Sequence, residues 1–496
     1  MLQSKVLACI RALAVLLSLA GAASAQTSDE QDSTAAAAEQ SPEPPAPNFH
    51  APPLKLKGYV LLGGTYFANN SKSPLATLTG TGSYGLGRML GNLEVDYKPF
   101  QSGTLTIAAN AYAIATKAGA NGQNADSLDF LLTELYADAQ VGAYRFVAGK
   151  RNTLRSVGYF RYPLDFYDTP SLVTTGAEDP RRIVETRNGP VLASVERRWE
   201  WGSAGVEYLP RLPTNSLFDW HSNYQQQIIS HASFVAGGAA VTVSAQRAND
   251  RDRGADSIGN PLHPASVNEY GASSTYVVGT ALELHAEASF RRDQRLPSVD
   301  SHVFQFNAPL PVAAALPIWS AGTHAQLVET LVGGQYTFGD RTFLDGWNVI
   351  FEYDYQNEGW TKAQWNMFFD QVGRLQRLSA AAVSGAPPPL PAQQLASDFG
   401  KRTADLFRDR PAFWGRHYGF LRVSHTDLGV DGLEVAVWTI PSLQDFSFVA
   451  GANVGFEPQS GFQLRLDMRY FGGPGRSEFG RSPNRTLAQV QIGYRF

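Results

Sequence analysis

The sequence predicts an all-β fold: a transmembrane, antiparallel, up-and-down β-barrel of about 18 strands, with a helical insert in one extracellular loop. Sixteen strands is the alternative count. Three observations carry this expectation. Apolar and polar residues alternate with a period of two, segment after segment, from residue 54 to the end. Short turn-like links and long links alternate between those segments. Mean hydropathy is only −0.21, as expected of a wall with one oily and one wet face, which averages out in any window.

The N-terminal stretch reads as a signal peptide over residues 1–25. Lys5 and Arg11 precede the apolar run Ala12-Leu-Ala-Val-Leu-Leu-Ser-Leu-Ala20, and Ala23-Ser-Ala25 supplies the small residues of a cleavage site. That run is shorter than the roughly 20 residues of a bilayer span. Cys9 is the sole cysteine. It precedes the hydrophobic stretch rather than following it, which argues against a lipoprotein, and it leaves with the signal. The exported chain then has no disulfide, no thiol nucleophile and no cysteine–zinc site. Losing Lys5 and Arg11 leaves 39 basic against 45 acidic residues, a mild acidity that argues against nucleic acid as a partner.

Residues 26–53 are rich in Pro, Ala and acidic side chains and read as a disordered tether, too short for a globular plug. The barrel is expected over 54–496. Leu54, Leu56, Val60, Leu62 and Tyr66 oppose Lys55, Lys57, Tyr59 and Thr65. Leu282, Leu284, Ala286, Ala288 and Phe290 oppose Glu283, His285, Glu287, Ser289 and Arg291. Trp347, Val349, Phe351, Tyr353 and Tyr355 oppose Asn348, Glu352, Asp354 and Gln356. Segments near 105–113 and 462–470 repeat the pattern, which no helical period makes. A soluble sandwich also alternates, but the strands run about 9–11 residues and aromatics gather at their ends, as membrane barrels require.

Tight turns are expected at 99–103, 141–143, 200–203, 236–239, 278–280, 338–346, 426–432 and 457–461. Longer loops fall near 68–87, 118–126, 151–188, 212–224, 248–266, 292–323, 357–414 and 472–485, and the link near 441–446 is short where a long one is due. The even strand count puts both termini on the periplasmic side. Within 357–414, Thr361 can cap a helix whose stripe is Trp365, Phe368, Phe369, Val372 and Leu375. The Pro-rich 386–391 then leads to a second helical stretch at 394–408. Such an insert, 361–410, can fold into the mouth as a lid, or pack on the rim or against an outside partner.

The polar half of the alternation should line the lumen. Candidate pore-lining residues are Glu134, Asp138, Arg145, Glu207, Glu283, Glu287, Glu352, Asp354, Glu434, Arg465, Asp467 and Arg469. Crowded charges of this kind set ion preference in a narrow pore, or pair to satisfy one another. Candidate constriction residues are Arg151, Arg155, Arg161, Arg181, Arg182 and Arg187, because guanidinium groups grip carboxylate or phosphate bidentately. Their partner is an anionic solute, lipopolysaccharide phosphate, or neighbouring Asp and Glu.

Catalytic, cofactor and metal sites are not expected. Gly80-Thr-Gly-Ser-Tyr-Gly85 has neither the helix nor the parallel strand of a nucleotide-binding turn. The nine histidines form no ligand spacing. Ser230-His231 and Ser424-His425 are strand neighbours and point to opposite faces, so neither makes a nucleophile–base pair.

The terminal segment Leu487-Ala-Gln-Val-Gln-Ile-Gly-Tyr-Arg-Phe496, ending on an aromatic, resembles the C-terminal signal of Gram-negative outer-membrane β-barrels. That resemblance implies insertion by the barrel-assembly machinery and contact with outer-membrane lipid and lipopolysaccharide. Residues 149–165, Gly149-Lys-Arg-Asn through Tyr162-Pro-Leu-Asp165, resemble a stretch of porin-like barrels of the alginate-export type, with Ser156-Val157 where those carry Trp-Gly. The expected function is an outer-membrane channel passing small hydrophilic solutes through a polar, loop-constricted lumen. The alternatives are a dedicated export or uptake barrel for a polysaccharide or hydrophobic compound with a periplasmic partner, and a surface-binding or enzymatic barrel.

Overall fold

The computed structural model describes residues 54–73, 83–98, 105–119, 127–167, 179–180, 187–212, 226–249, 266–294, 298–303, 315–320, 324–339, 345–383, 403, 413–459 and 461–496. Twenty strands are found among them. The first half comprises β1 (Leu54–Asn69), β2 (Tyr84–Tyr97), β3 (Leu105–Gly119), β4 (Ser127–Val141) and β5 (Tyr144–Lys150), followed by β6 (Val191–Trp199), β7 (Gly202–Leu209), β8 (Gln227–Ala236), β9 (Ala239–Asn249) and β10 (Ser266–Val278). The second half comprises β11 (Leu282–Gln294), β12 (Ser298–Val303), β13 (Ala315–Ser320), β14 (His324–Thr337) and β15 (Trp347–Gln356). After helix α1 (Lys362–Val383) come β16 (His417–His425), β17 (Leu433–Pro441), β18 (Phe448–Phe456), β19 (Phe462–Gly472) and β20 (Asn484–Arg495).

Eighteen strands form one sheet in which each pairs antiparallel with its sequence neighbour, β11 pairs with β14, and β20 returns to β1. The ring is closed, so it has no edge to pair with another chain. Alternation assigns the faces. On β20, Val490, Ile492 and Tyr494 are 47%, 51% and 54% exposed, whereas Gln489 and Gln491 are 3% and 7%. Cross-strand partners agree, with Leu62 opposite Ile492 on the outer face and Asp467 opposite Gln489 on the inner one. The wall is therefore apolar outside and largely polar inside.

Short links gather on one rim and long links on the other. Gly237 and Gly238, at φ 58° and 85°, make the two-residue β8–β9 turn, whose positive φ values suit glycine. Both ends of the barrel lie on the short-turn rim, where Phe496 and Gly58 exchange backbone hydrogen bonds of 2.9 and 3.0 Å. Trp199 and Trp201 stack at 5.5 Å there, and Arg197 lies over the rings of Tyr144 and Trp199. No helix among the described residues is long and apolar enough to cross a membrane.

On the long-loop rim, α1 starts at a capping box. Gln364 Oε1 accepts the Thr361 N–H at 2.8 Å, and Thr361 Oγ1 accepts the Gln364 N–H at 3.3 Å. Trp365, Phe368, Phe369 and Val372 are buried, with Trp365 edge-on to Trp360, and Trp360 edge-on to Trp414. Arg476 ties the helix to the β19–β20 loop through Asp370. The Leu375 side chain and almost all of the second helical stretch lie outside the described residues. The structure differs from the sequence expectation at 292–323, read as loop, where β12 and β13 form their own two-stranded sheet beside α1. Pro317 reads as a strand break, yet a two-stranded ribbon is all edge, and an edge tolerates a missing N–H.

Candidate functional site

The β5–β6 connection turns inward. Residues 151–167 leave the end of β5 without strand structure and run over the inner wall as a strap. Backbone N–H groups removed from water and from a sheet need other acceptors, and wall carboxylates supply them. Glu287 on β11 accepts the Ser156 hydroxyl at 2.7 Å, the Val157 N–H at 2.8 Å and the Leu164 N–H. Glu352 on β15 accepts the N–H groups of Tyr159 at 2.8 Å and Phe160 at 3.2 Å, and its Oε1 lies 2.8 Å from His285 Nε2. Each such bond contributes about 0.5–1.5 kcal/mol net, and a buried N–H left unmatched costs about 1–3 kcal/mol, so these two carboxyl groups hold the strap firmly.

Apolar side chains seat it at both ends. Leu164 is fully buried with Val147, Phe166, Tyr167, Leu192, Leu209 and Ile229. It fits against Gly271 of β10, where an added Cβ would come within 2.0 Å of Leu164 Cδ2; only glycine leaves that space. Phe160 stacks on Phe420 at 5.2 Å and joins Leu331, Ile350, Tyr418, Trp438 and Ile440.

The candidate constriction arginines are engaged by carboxylates. Arg155 bonds Glu207, which also accepts the Tyr167 hydroxyl. Arg161 bonds Glu329 at 2.6 Å, approaches Asp354 at 3.5 Å and lies over the Phe413 ring. Arg187 bonds Asp165. Arg151 lies 3.7 Å from Asp138, the partner of Arg145, and over the Tyr136 ring. Arg181 and Arg182 lie outside the described residues.

All the candidate pore-lining residues project to the inner side of their strands. Their environments differ. Glu207, Glu287, Glu352 and Asp354 are committed to the strap. Glu134 accepts the Asn152 N–H at 2.9 Å, Glu283 lies 3.9 Å from His285, and Glu434 lies 3.3 Å from Arg422, which also bonds Asp179. Asp467 accepts from Asn453, Arg469 lies over the Trp438 ring, and Arg465 is 4.0 Å from Glu457. Pattern reading passed over His285, Glu329, Ser156, Tyr159 and Tyr167 as partners, because the contacts join residues far apart in sequence.

The inner face of β1–β4 is apolar over part of its height, where Tyr59, Leu61, Leu90, Tyr112, Ile114 and Leu131 cluster. Ser230 is exposed on the outer face while His231 is buried on the inner one; the Ser424 hydroxyl is bonded by Arg422 at 2.6 Å and His425 Nε2 lies 2.9 Å from the Asp345 carbonyl. Among the described residues no group of three His, Cys, Asp or Glu side chains is placed to hold a metal ion.

No family model matches this chain, and no curated protein matches it. Solved structures similar to it include Acinetobacter baumannii OccAB1, at 10% identity and a TM-score of 0.47, covering 89% of this chain and 96% of that one. Pseudomonas aeruginosa OccK5 (OpdH) aligns at 10% identity and 0.45, covering 89% and 98%. Salmonella typhi OmpF, solved with daunomycin, aligns at 11% identity and 0.40, covering 89% and 97%.

Proposed function

We propose that this chain is an outer-membrane channel that passes small hydrophilic solutes through a lumen narrowed by the 151–167 strap. The observation that carries the reading is the strap itself, pinned to β7, β11, β14 and β15 inside a closed ring whose outer face is apolar. An apolar belt belongs in a bilayer and a polar interior in water, and eighteen strands enclose a wider lumen than side chains alone fill. The passage then runs between the strap and the facing wall of β1–β3 and β18–β20. The signal-like segment at 1–25 and the terminal strand fit export and barrel assembly, which puts the short-turn rim and both termini in the periplasm and leaves α1 outside. This reading assigns the protein no catalytic role.

A second reading, a dedicated barrel for a hydrophobic compound or a polysaccharide, is favoured by the apolar cluster on β1–β4. Planar-bilayer recording on refolded, signal-less protein separates the two. Steady conductance steps support the aqueous channel, with the KCl reversal potential reporting the sign of the passage. Silence from well-folded protein overturns it.

A further inference from the structure

Behind the root of the strap lies a cavity of about 130 Å³, lined by Arg145, Arg151, Arg155, Glu196, Glu207 and His231, with Ser194 and Thr153 between them. Of the charged side chains lining it, three are arginines and two are glutamates, so positive charge is in excess by one. Just outside, Asp138 faces Arg145 and Arg198 faces Glu196 at 2.6 Å, and these two offset each other. The His231 side chain is only 2% exposed, yet among the described residues neither of its ring nitrogens finds a hydrogen-bond partner, and Arg155 Nε is equally unmatched. Glu196 lies 3.7 Å from His231 Nε2, beyond hydrogen-bond reach. The space for the imidazole is built in: a Cβ on Gly205 would stand 2.7 Å from His231 Cε1.

We infer that this cavity binds one small oxyanion, a carboxylate or an inorganic phosphate. Buried polar atoms go unmatched rarely, and usually where a ligand or water completes them. The cavity holds about four waters at roughly 30 Å³ each, or one oxyanion. Donors outnumber acceptors here, since arginine has no acceptor and the Thr153 and Ser194 hydroxyls can donate. An acceptor-only ligand with negative charge matches both the donor excess and the charge, and its bonds to guanidinium groups are charge-assisted. The inference rests on the strap lying inside the barrel and not on the pore conducting. A silent bilayer would sink the channel and leave this site standing.

The test is calorimetric titration of detergent-folded protein with sodium acetate and, separately, sodium phosphate, alongside histidine-labelled NMR in which H231Q identifies the His231 signals. Saturable binding of acetate alone assigns a carboxylate; of phosphate alone, phosphate; either moves the His231 signals. Gly205→Ala, which pushes the ring into the cavity without changing charge, and H231Q should each weaken binding by about tenfold or more. Both variants are first shown to fold by the gel mobility of the unheated barrel. No saturable binding of either ion overturns the inference in favour of a water-filled cavity. Binding that both folded variants retain unchanged overturns it as well, placing the ion elsewhere.

Discussion

Three donors from one strap converge on the Glu287 carboxylate, and that convergence is what a substitution there removes. Glu287→Ala leaves a hydroxyl and two N–H groups unmatched, which should loosen the strap by about 2–4 kcal/mol. Single-channel traces should then flicker, and proteolysis between 151 and 190 should quicken; an unchanged digest would refute the pin. Glu478, in the β19–β20 loop of the long-loop rim, is another buried carboxyl, accepting the Trp414 N–H at 2.6 Å and the Tyr418 hydroxyl. Burial pushes it above the usual carboxylate range, against the opposing pull of Tyr418 and Arg481. The native state therefore keeps this proton longer than the unfolded chain does. Its stabilising contribution is present below the ordinary carboxyl pKa and is lost as pH rises through the raised value. Amide exchange at Trp414 and Phe479, corrected for intrinsic rates, should be faster at about pH 8 than at about pH 5, and Glu478→Gln should flatten the difference. Alternation made the inward direction of Glu287 legible. Its partner was not legible, because Ser156 stands 131 positions away and no local pattern links the two.

At the scale of elements, α1 and its surroundings combine a visible and an invisible part. The Thr361 cap and the stripe from Trp365 to Val372 follow from spacing alone, while the partners of that stripe, Trp360 and Trp414, come from two separate ends of the insert. The pair β12 and β13 was hidden by a proline and by the absence of alternation. Thr361→Ala combined with Gln364→Ala removes the reciprocal cap and should cost about 1–2 kcal/mol locally, seen as faster exchange in the first turn of α1 with β15 unchanged. Deleting 361–410 leaves the β15–β16 pairing from Tyr355–His417 onward intact, so the ring should still fold. Conductance should rise if the helix overhangs the mouth. A current equal to that of the intact chain would place the helix clear of the passage.

The whole molecule is a sorting of residues between two solvents, and that sorting was the most legible feature of the chain. A closed barrel of about 18 or 16 strands and its turns follow from a period of two and from the order of short and long links, and the ring has eighteen. The route of the strap did not follow, since it depends on which carboxylates the closed ring brings within reach of residues 151–167. The sorting gives a paired test. Val490 faces outward and Gln489 inward beside Asp467. Val490→Arg should destabilise the barrel in lipid by about 2–4 kcal/mol, measured by urea unfolding in vesicles. Gln489→Lys should be near neutral. Equal effects at the two positions would contradict the assignment of faces.

The grip on the strap has one more property. Four of the bonds that hold it are to main-chain N–H groups, at positions 157, 159, 160 and 164, and a main-chain N–H is common to every residue except proline. Glu287 and Glu352 thus hold positions 157, 159, 160 and 164 by groups that substitution does not remove, while the side chains of Leu164 and Phe160 seat the segment at its ends. A side chain such as that of Val157 can therefore change while the backbone bond beneath it, and the path of the strap, stay as they are.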